Sequence, residues 1–165
     1  MDYREAVPAD DDAIAALTTA AFGQPEEAEL VAALARDGDV ELSLVAVEGE
    51  TVVGHILYSD LGVVVDGRPV RAVALAPVSV VPGRQGRGIG AALVRASLGL
   101  LRDRGIEAVV VLGHARYYPR FGFSAALAAK LEAPFAGDAF MALELRPGAL
   151  AGHVGAVHYA RAFGL

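Results

Sequence analysis

The segment Val78-Ser79-Val80-Val81-Pro82-Gly83-Arg84-Gln85-Gly86-Arg87-Gly88-Ile89-Gly90 concentrates the groups best suited to hold an anion. An apolar, β-branched run feeds a glycine-dense turn, which opens into an amphipathic stretch. Glycines let backbone approach a ligand with no Cβ in the way, and free N–H groups at a helix start point toward negative charge. Arg84 and Arg87 add charge-assisted donors. A diphosphate is the natural occupant; the alternative is a turn with a purely structural role. Two familiar nucleotide loops do not fit. A Walker loop needs Lys and then Ser or Thr behind its last glycine, and neither stands there. A dinucleotide fingerprint is superficially present in Gly86-Arg87-Gly88-Ile89-Gly90-Ala91, but it requires an acid at the end of the next strand. That strand runs into Leu112-Gly113-His114, and Glu107 stands at its start.

Other reactive side chains are sparse. The chain has no Cys, which excludes thiolate nucleophiles, disulfides and Cys-ligated metals. Lys130 is the only lysine, so Schiff-base chemistry has one candidate, in a segment without other signals. His153 and His158 stand five apart with no acid beside them, a poor ligand set, and no metal is expected.

The elements that must position the glycine turn follow from periodicity. Residues 2–7 read as a short strand. Asp10, Asp11 and Asp12 suit a helix N-terminus, where acids meet free amides and the positive dipole end. Ile14, Leu17 and Ala21 form that helix's apolar stripe. A second helix has Pro25 in its first turn, Leu30, Val31 and Leu34 on one face, and Gly38 as its stop. Residues 42–48 and 51–61 read as antiparallel strands around Gly49-Glu50. Asp66-Gly67 marks a hairpin between Val63-Val64-Val65 and the apolar run 70–81. Beyond the turn at 83–90, a helix reaches Arg104 with Ile89, Leu93, Ala96 and Leu100 facing inward, and Gly105 ends it. Residues 108–112 form an apolar strand, 115–120 a brief helical segment, and 139–145 the last confident strand. Strands with interspersed helices and no linker predict one mixed α/β (α+β) domain over residues 1–165.

Composition narrows the class. At 165 residues, 55% of them hydrophobic, the chain can bury a sizeable core. No apolar run approaches the roughly 18 residues that cross a bilayer, and the N-terminus lacks the pattern of a signal peptide. A cytoplasmic protein that binds no membrane is expected. A net charge of −6 argues against broad nucleic-acid binding, which needs a surplus of Lys and Arg.

Gln85-x-x-Gly88-x-Gly90 after a Val-x-Val strand resembles the coenzyme A-binding motif of the GNAT superfamily of N-acetyltransferases. Tyr117-Tyr118-Pro119-Arg120-Phe121-Gly122-Phe123 resembles that superfamily's second motif. With Leu75-Ala76-Pro77 ahead of the strand, the wording is most similar to the YhbS-like subgroup. Both motifs stand at the expected separation, and the order of elements follows the superfamily throughout. Segment 124–137 is Ala-rich and departs from the pattern, which leaves acceptor specificity open. So does the tail carrying His153 and His158, which in this subgroup completes the sheet.

The resemblance implies a GNAT-like acyl-CoA N-acyltransferase fold, with a splayed mixed central sheet flanked by helices and acetyl-CoA as cosubstrate. Val78, Ser79 and Val80 would pair with the pantetheine arm in the gap between two diverging strands. Gln85, Gly86, Arg87, Gly88, Ile89 and Gly90 would hold the diphosphate, mostly by main chain. Pro77 fits such a gap, since Pro removes a ladder donor and is confined to edges or bulges; the alternative is a plain strand edge. The implied reaction is direct attack of a neutral amine on the acetyl thioester, with backbone donors near Val80 facing the oxyanion. Tyr118 matches the tyrosine that protonates the departing thiolate; its alternative is a core aromatic, with Tyr117 as substitute. His114 is the first candidate for a general base, ahead of His55 and Glu48, though many such sites have none. The acceptor would be a small-molecule amine or a peptide amino group, and a homodimer is compatible. A non-catalytic acyl-CoA-binding or regulatory module is the alternative function, and an intact Tyr118 argues against it.

Overall fold

The computed structural model describes residues 1–135 and 137–165. Ala136, inside the segment 124–137 expected to depart from the family pattern, lies outside the described residues. The elements run β1 (Asp2–Glu5), α1 (Asp11–Phe22), α2 (Glu26–Arg36), β2 (Val40–Glu48), β3 (Thr51–Val65), β4 (Arg68–Val80), α3 (Ile89–Asp103), β5 (Ala108–Leu112), α4 (Ala125–Ala128), β6 (Leu131–Glu132), β7 (Phe140–Glu144) and β8 (Gly155–Tyr159). Short 3-10 turns at Pro8–Asp10, Pro82–Arg84, Tyr118–Phe121 and Arg161–Phe163 join several of them. The strand order is β1-β2-β3-β4-β5-β7, with β8 paired to β3 and β6. β4 and β5 are parallel, whereas β1–β2, β5–β7 and β3–β8 are antiparallel. The sheet is therefore mixed, as expected.

Contacts divide the chain into two compact units, Met1–Tyr58 with Ala76–Ser97 and Ser59–Leu75 with Leu98–Leu165. In the first, β1 pairs with β2 from Asp2↔Val47 to Glu5↔Leu44. Ile14 of α1 packs with Val45 and Val47 of β2. Ile14 and Leu17 are buried as the stripe required, together with Thr18. In the second unit, parallel pairing covers Ala72↔Ala108 to Leu75↔Val111, and β7 lies on the other side of β5. Val63, Val65, Val70, Ala72, Val110 and Phe140 share its core.

Two expectations need correction. The inward face of α3 is not Ile89, Leu93, Ala96 and Leu100, because Ala96 and Leu100 are exposed. The buried face is Ile89, Leu93, Val94, Ser97, Leu98 and Leu101. Ser97 can stand there because its hydroxyl donates back to Leu93 O at 2.7 Å and Val94 O at 2.9 Å, and meets Tyr58 Oη at 2.8 Å. Such back-bonding removes the penalty on a buried hydroxyl. The helical segment at 115–120 is a turn followed by the 3-10 turn Tyr118–Phe121. The strand expected at 139–145 is present as β7, and the tail completes the sheet as expected: its strand β8 pairs with β3 from Leu61↔Tyr159 to Val65↔Gly155. The hairpin is as anticipated, with Asp66 at φ 49° and Gly67 at φ 77°, the two left-handed residues of a tight two-residue turn.

Candidate active site

Within the first unit, β4 delivers the chain to the glycine turn. Val81 N–H donates to Val53 O at 2.9 Å, tying the end of β4 to β3. The chain then makes a 3-10 turn at Pro82–Arg84, with Arg84 N–H donating to Val81 O at 2.9 Å. Gln85, Gly86, Arg87 and Gly88 are exposed. Gly86 and Gly88 take φ of 76° and 82°, a region that side-chain-bearing residues enter at a cost. The first bond leading into α3 is Ala92 N–H to Gly88 O at 3.0 Å. The amides immediately before it therefore have no intrahelical carbonyl to reach, and they carry the positive end of the helix dipole. No atom lies within 4 Å of a Cβ built at Gly83, Gly86 or Gly88, so the turn is open on its outer side.

The side chains around this turn are already engaged. Gln85 Nε2 donates to Val80 O at 3.0 Å, which fastens the turn to the strand end. Arg84 Nε donates to Glu48 Oε2 at 2.8 Å. The hydrogen bond, and then the opposite charge, raise the Arg84 pKa and lower that of Glu48. Glu48 is thus held as the Arg84 counterion, and the lowered pKa makes it a weaker base for a substrate ammonium. Of the strand residues, Val78 and Val80 are half-buried. Ser79 is buried, and its hydroxyl has no hydrogen-bond partner among the described residues.

The second unit contains the tyrosines. β5 ends at Leu112, and Gly113 N–H donates to Ala139 O at 2.9 Å. The chain turns at His114, whose carbonyl accepts from Tyr117 N–H at 3.0 Å and Tyr118 N–H at 3.4 Å. Tyr118 is 6% exposed. Its ring meets Tyr117 edge-on at 5.1 Å and Phe123 at 5.7 Å. Burial, and then Tyr117, push its pKa up to about 12, so the phenol stays protonated. Tyr117 is half-buried beneath the Arg120 guanidinium, 4.6 Å from the ring centre. His114 is exposed.

The family model for the Acetyltransferase (GNAT) domain matches residues 2–126, through both the glycine turn and the tyrosine segment. The chain belongs to the GNAT acetyltransferase family. It is 36% identical over 162 residues to the uncharacterized N-acetyltransferase YhbS of Escherichia coli K12, covering 96% of each chain. A second relative in that organism, the uncharacterized N-acetyltransferase YjhQ, is 41% identical over 122 residues. The match takes in 73% of this chain but 62% of YjhQ, so the chain spans less than two thirds of that relative. Among solved structures, E. coli YhbS in complex with CoA superposes with a TM-score of 0.90 at 35% identity, covering 99% of this chain and 92% of that one. A GNAT acetyltransferase from Brucella melitensis in complex with acetyl-CoA gives 0.81 at 37% identity, covering 98% and 97%. The fold of this N-acetyltransferase is therefore the GNAT fold.

Several features of this GNAT chain escaped the sequence reading. His55 is 0% exposed, with Nε2 2.8 Å from Ser43 Oγ and Nδ1 without a partner among the described residues. Burial, opposed by the charge of Asp10, brings its pKa down to about 4, so it is neutral and weakly basic at pH 7. Alternation along β3 gave no means of pairing it with Ser43 on β2. Ser43 also lines a cavity of about 650 Å³ in the first unit, walled largely by apolar groups such as Ile14, Val31, Ala32 and Leu57, with Asp11 and Arg36 the charged ones. His153 and His158 are exposed, and among the described residues no group of three His, Cys, Asp or Glu is placed to hold a metal ion. None of the described helices is long and apolar enough to cross a membrane.

Proposed function

We propose that residues 1–165 act as one catalytic domain that binds acetyl-CoA and transfers its acetyl group to a primary amine of a small molecule or peptide. The observation that carries this reading is the exposed turn in which Gly86 and Gly88, both left-handed, lead into the free amides that start α3. Fixed N–H groups at a helix start suit a diphosphate. Gln85, Gly86, Arg87, Gly88, Ile89 and Gly90 hold that group, with Arg87 supplying charge and Gln85 bracing the turn against Val80. Val78, Ser79 and Val80 engage the pantetheine arm through their backbone. The buried Ser79 side chain is consistent with a main-chain role.

The neutral amine nitrogen attacks the thioester carbonyl carbon, the carbonyl oxygen takes the negative charge, and the carbon–sulfur bond then breaks. The sulfur leaves with the bonding pair and takes a proton from the Tyr118 hydroxyl. The phenolate recovers a proton from solvent, and the acetylated nitrogen releases its own. Amide and free CoA thiol are the products. A phenol raised to about 12 is in the donating form at neutral pH. The reading needs no dedicated base. His114, the first candidate, is exposed, and amine deprotonation falls to water.

The test is release of free thiol from acetyl-CoA with a panel of primary amines, for wild type and Tyr118→Phe. Loss of the acid should lower kcat by about 100-fold or more and leave the Kd for acetyl-CoA within about twofold. A Tyr118→Phe enzyme with wild-type kcat would remove Tyr118 from the mechanism.

A further inference from the structure

Gly113 follows the last residue of β5, and its backbone is not in the left-handed region, so an alanine would meet no conformational objection there. The obstacle lies in front of it. A Cβ built at Gly113 runs into Cε2 of Tyr118, with Cδ2 at 3.0 Å and Cζ at 3.4 Å. The Cε2 edge of the ring lies so close to Gly113 that there is no room for one carbon atom.

Neither partner can give way easily. The Gly113 backbone is pinned by its bond to Ala139 O, and β5 behind it pairs on both sides, with β4 and β7. The Tyr118 ring is hemmed in by Tyr117 at 5.1 Å with planes at 87°, by Phe123 at 5.7 Å and 75°, and by Phe121 at 6.3 Å and 57°. The Tyr118 backbone is held through its N–H to His114 O. Packed interiors do not absorb an added carbon by sliding; they rotate a side chain or shift backbone.

We propose that Gly113 is a positioning residue for Tyr118: the bare Cα at the end of β5 is the platform that sets the ring's depth and the direction of its hydroxyl. The proposal rests on Tyr118 being the acid of the reaction, and it adds the residue that aims it. Placement matters because a proton donor displaced by about 1 Å can lose on the order of 100-fold in rate. Tyr117, Phe121 and Phe123 clamp the ring from the other sides, but each is a side chain able to repack. Gly113 meets the ring with backbone, which side-chain repacking does not move.

The experiment is a double-mutant cycle of Gly113→Ala with Tyr118→Ala, read by denaturation midpoint, together with kcat and acetyl-CoA Kd for Gly113→Ala and Tyr118→Phe. Gly113→Ala should lower kcat by roughly tenfold or more with acetyl-CoA Kd within about twofold. It should also lower the denaturation midpoint, and Tyr118→Ala should abolish that loss because the obstructing ring is gone. In a Tyr118→Phe background, Gly113→Ala should cause no further fall in kcat. If Gly113→Ala fails to fold, the double variant should fold; a double variant that also fails overturns the proposal. Gly113→Ala with unchanged kcat overturns it too, even where Tyr118→Phe is inactive. A fully active Tyr118→Phe would instead defeat the reading of Tyr118 as the acid. The stability cycle would then still show whether position 113 holds the ring, and additive losses would deny it.

Discussion

His55 should make the protein acid-sensitive well above the range in which carboxylates titrate. It is fully buried, its Nδ1 has no partner among the described residues, and burial holds its pKa near 4 against an ordinary 6.5. The folded state thus favours neutral imidazole, whereas the unfolded chain takes up a proton as pH falls below 6.5. Stability from this group is complete above pH 6.5 and is lost progressively down to pH 4. The difference of 2.5 units at 1.36 kcal/mol per unit amounts to about 3 kcal/mol, of which about 2 kcal/mol is gone by pH 5. With a urea m-value of about 2 kcal/mol/M, the midpoint should fall by about 1 M between pH 7 and pH 5. In His55→Gln, which retains a donor for Ser43 Oγ, most of that dependence should vanish, although the variant starts from a lower stability at pH 7. Urea titrations at pH 7, 6, 5 and 4.5 for both proteins decide it. A wild-type midpoint that is flat from pH 6.5 to 4.5, or an equal decline in His55→Gln, refutes the reasoning.

Other consequences are as direct. Asp10 is held at about pKa 2 by hydrogen bonds from Arg4 at 2.7 and 3.0 Å, and then by Val7 N–H at 2.8 Å. Its contribution is present above pH 4 and lost as pH falls toward 2. Asp10→Asn should erase that lower limb only, at a cost of about 1 kcal/mol at neutral pH because Arg4 is half-exposed, as urea titrations at pH 7 and 3 will show. Leu93 is fully buried on α3, and Leu93→Ala should lower unfolding free energy by about 2–5 kcal/mol in denaturant titration. Gly88→Ala meets no neighbouring atom but must hold φ at 82°, which costs about 1 kcal/mol. Calorimetry should find acetyl-CoA binding at least about tenfold weaker there, because the methyl group stands on the open side of the turn.

Much of the architecture was legible because local signals and long-range packing agree. Asp66-Gly67 specified its turn by backbone preference, and residues 108–112 form the predicted apolar strand, buried through Val111 with Leu112 exposed. The glycine turn announced its chemistry through composition. Failures came where a distant partner reversed a local rule. The apolar spacing read along α3 gives no place to Ser97, whose bonds to Leu93, Val94 and Tyr58 permit its burial. The tail's place in the sheet came from the family resemblance and not from its own five residues, for which β3 supplies the partner. Gly113 carries no local marker of the ring it meets, which returns five residues later through the turn closed on His114 O. His55 and Ser43 meet across two strands, and no periodicity reports which residues stand opposite one another.

The most direct test of the central claim is calorimetric titration of the protein with acetyl-CoA, with NADH and ATP as controls and Gly88→Ala alongside. The account predicts a single site of micromolar affinity for acetyl-CoA, weakened in Gly88→Ala, with neither control bound comparably. Absence of acetyl-CoA binding, or equal binding by wild type and Gly88→Ala, would contradict it and leave the glycine turn as a structural element.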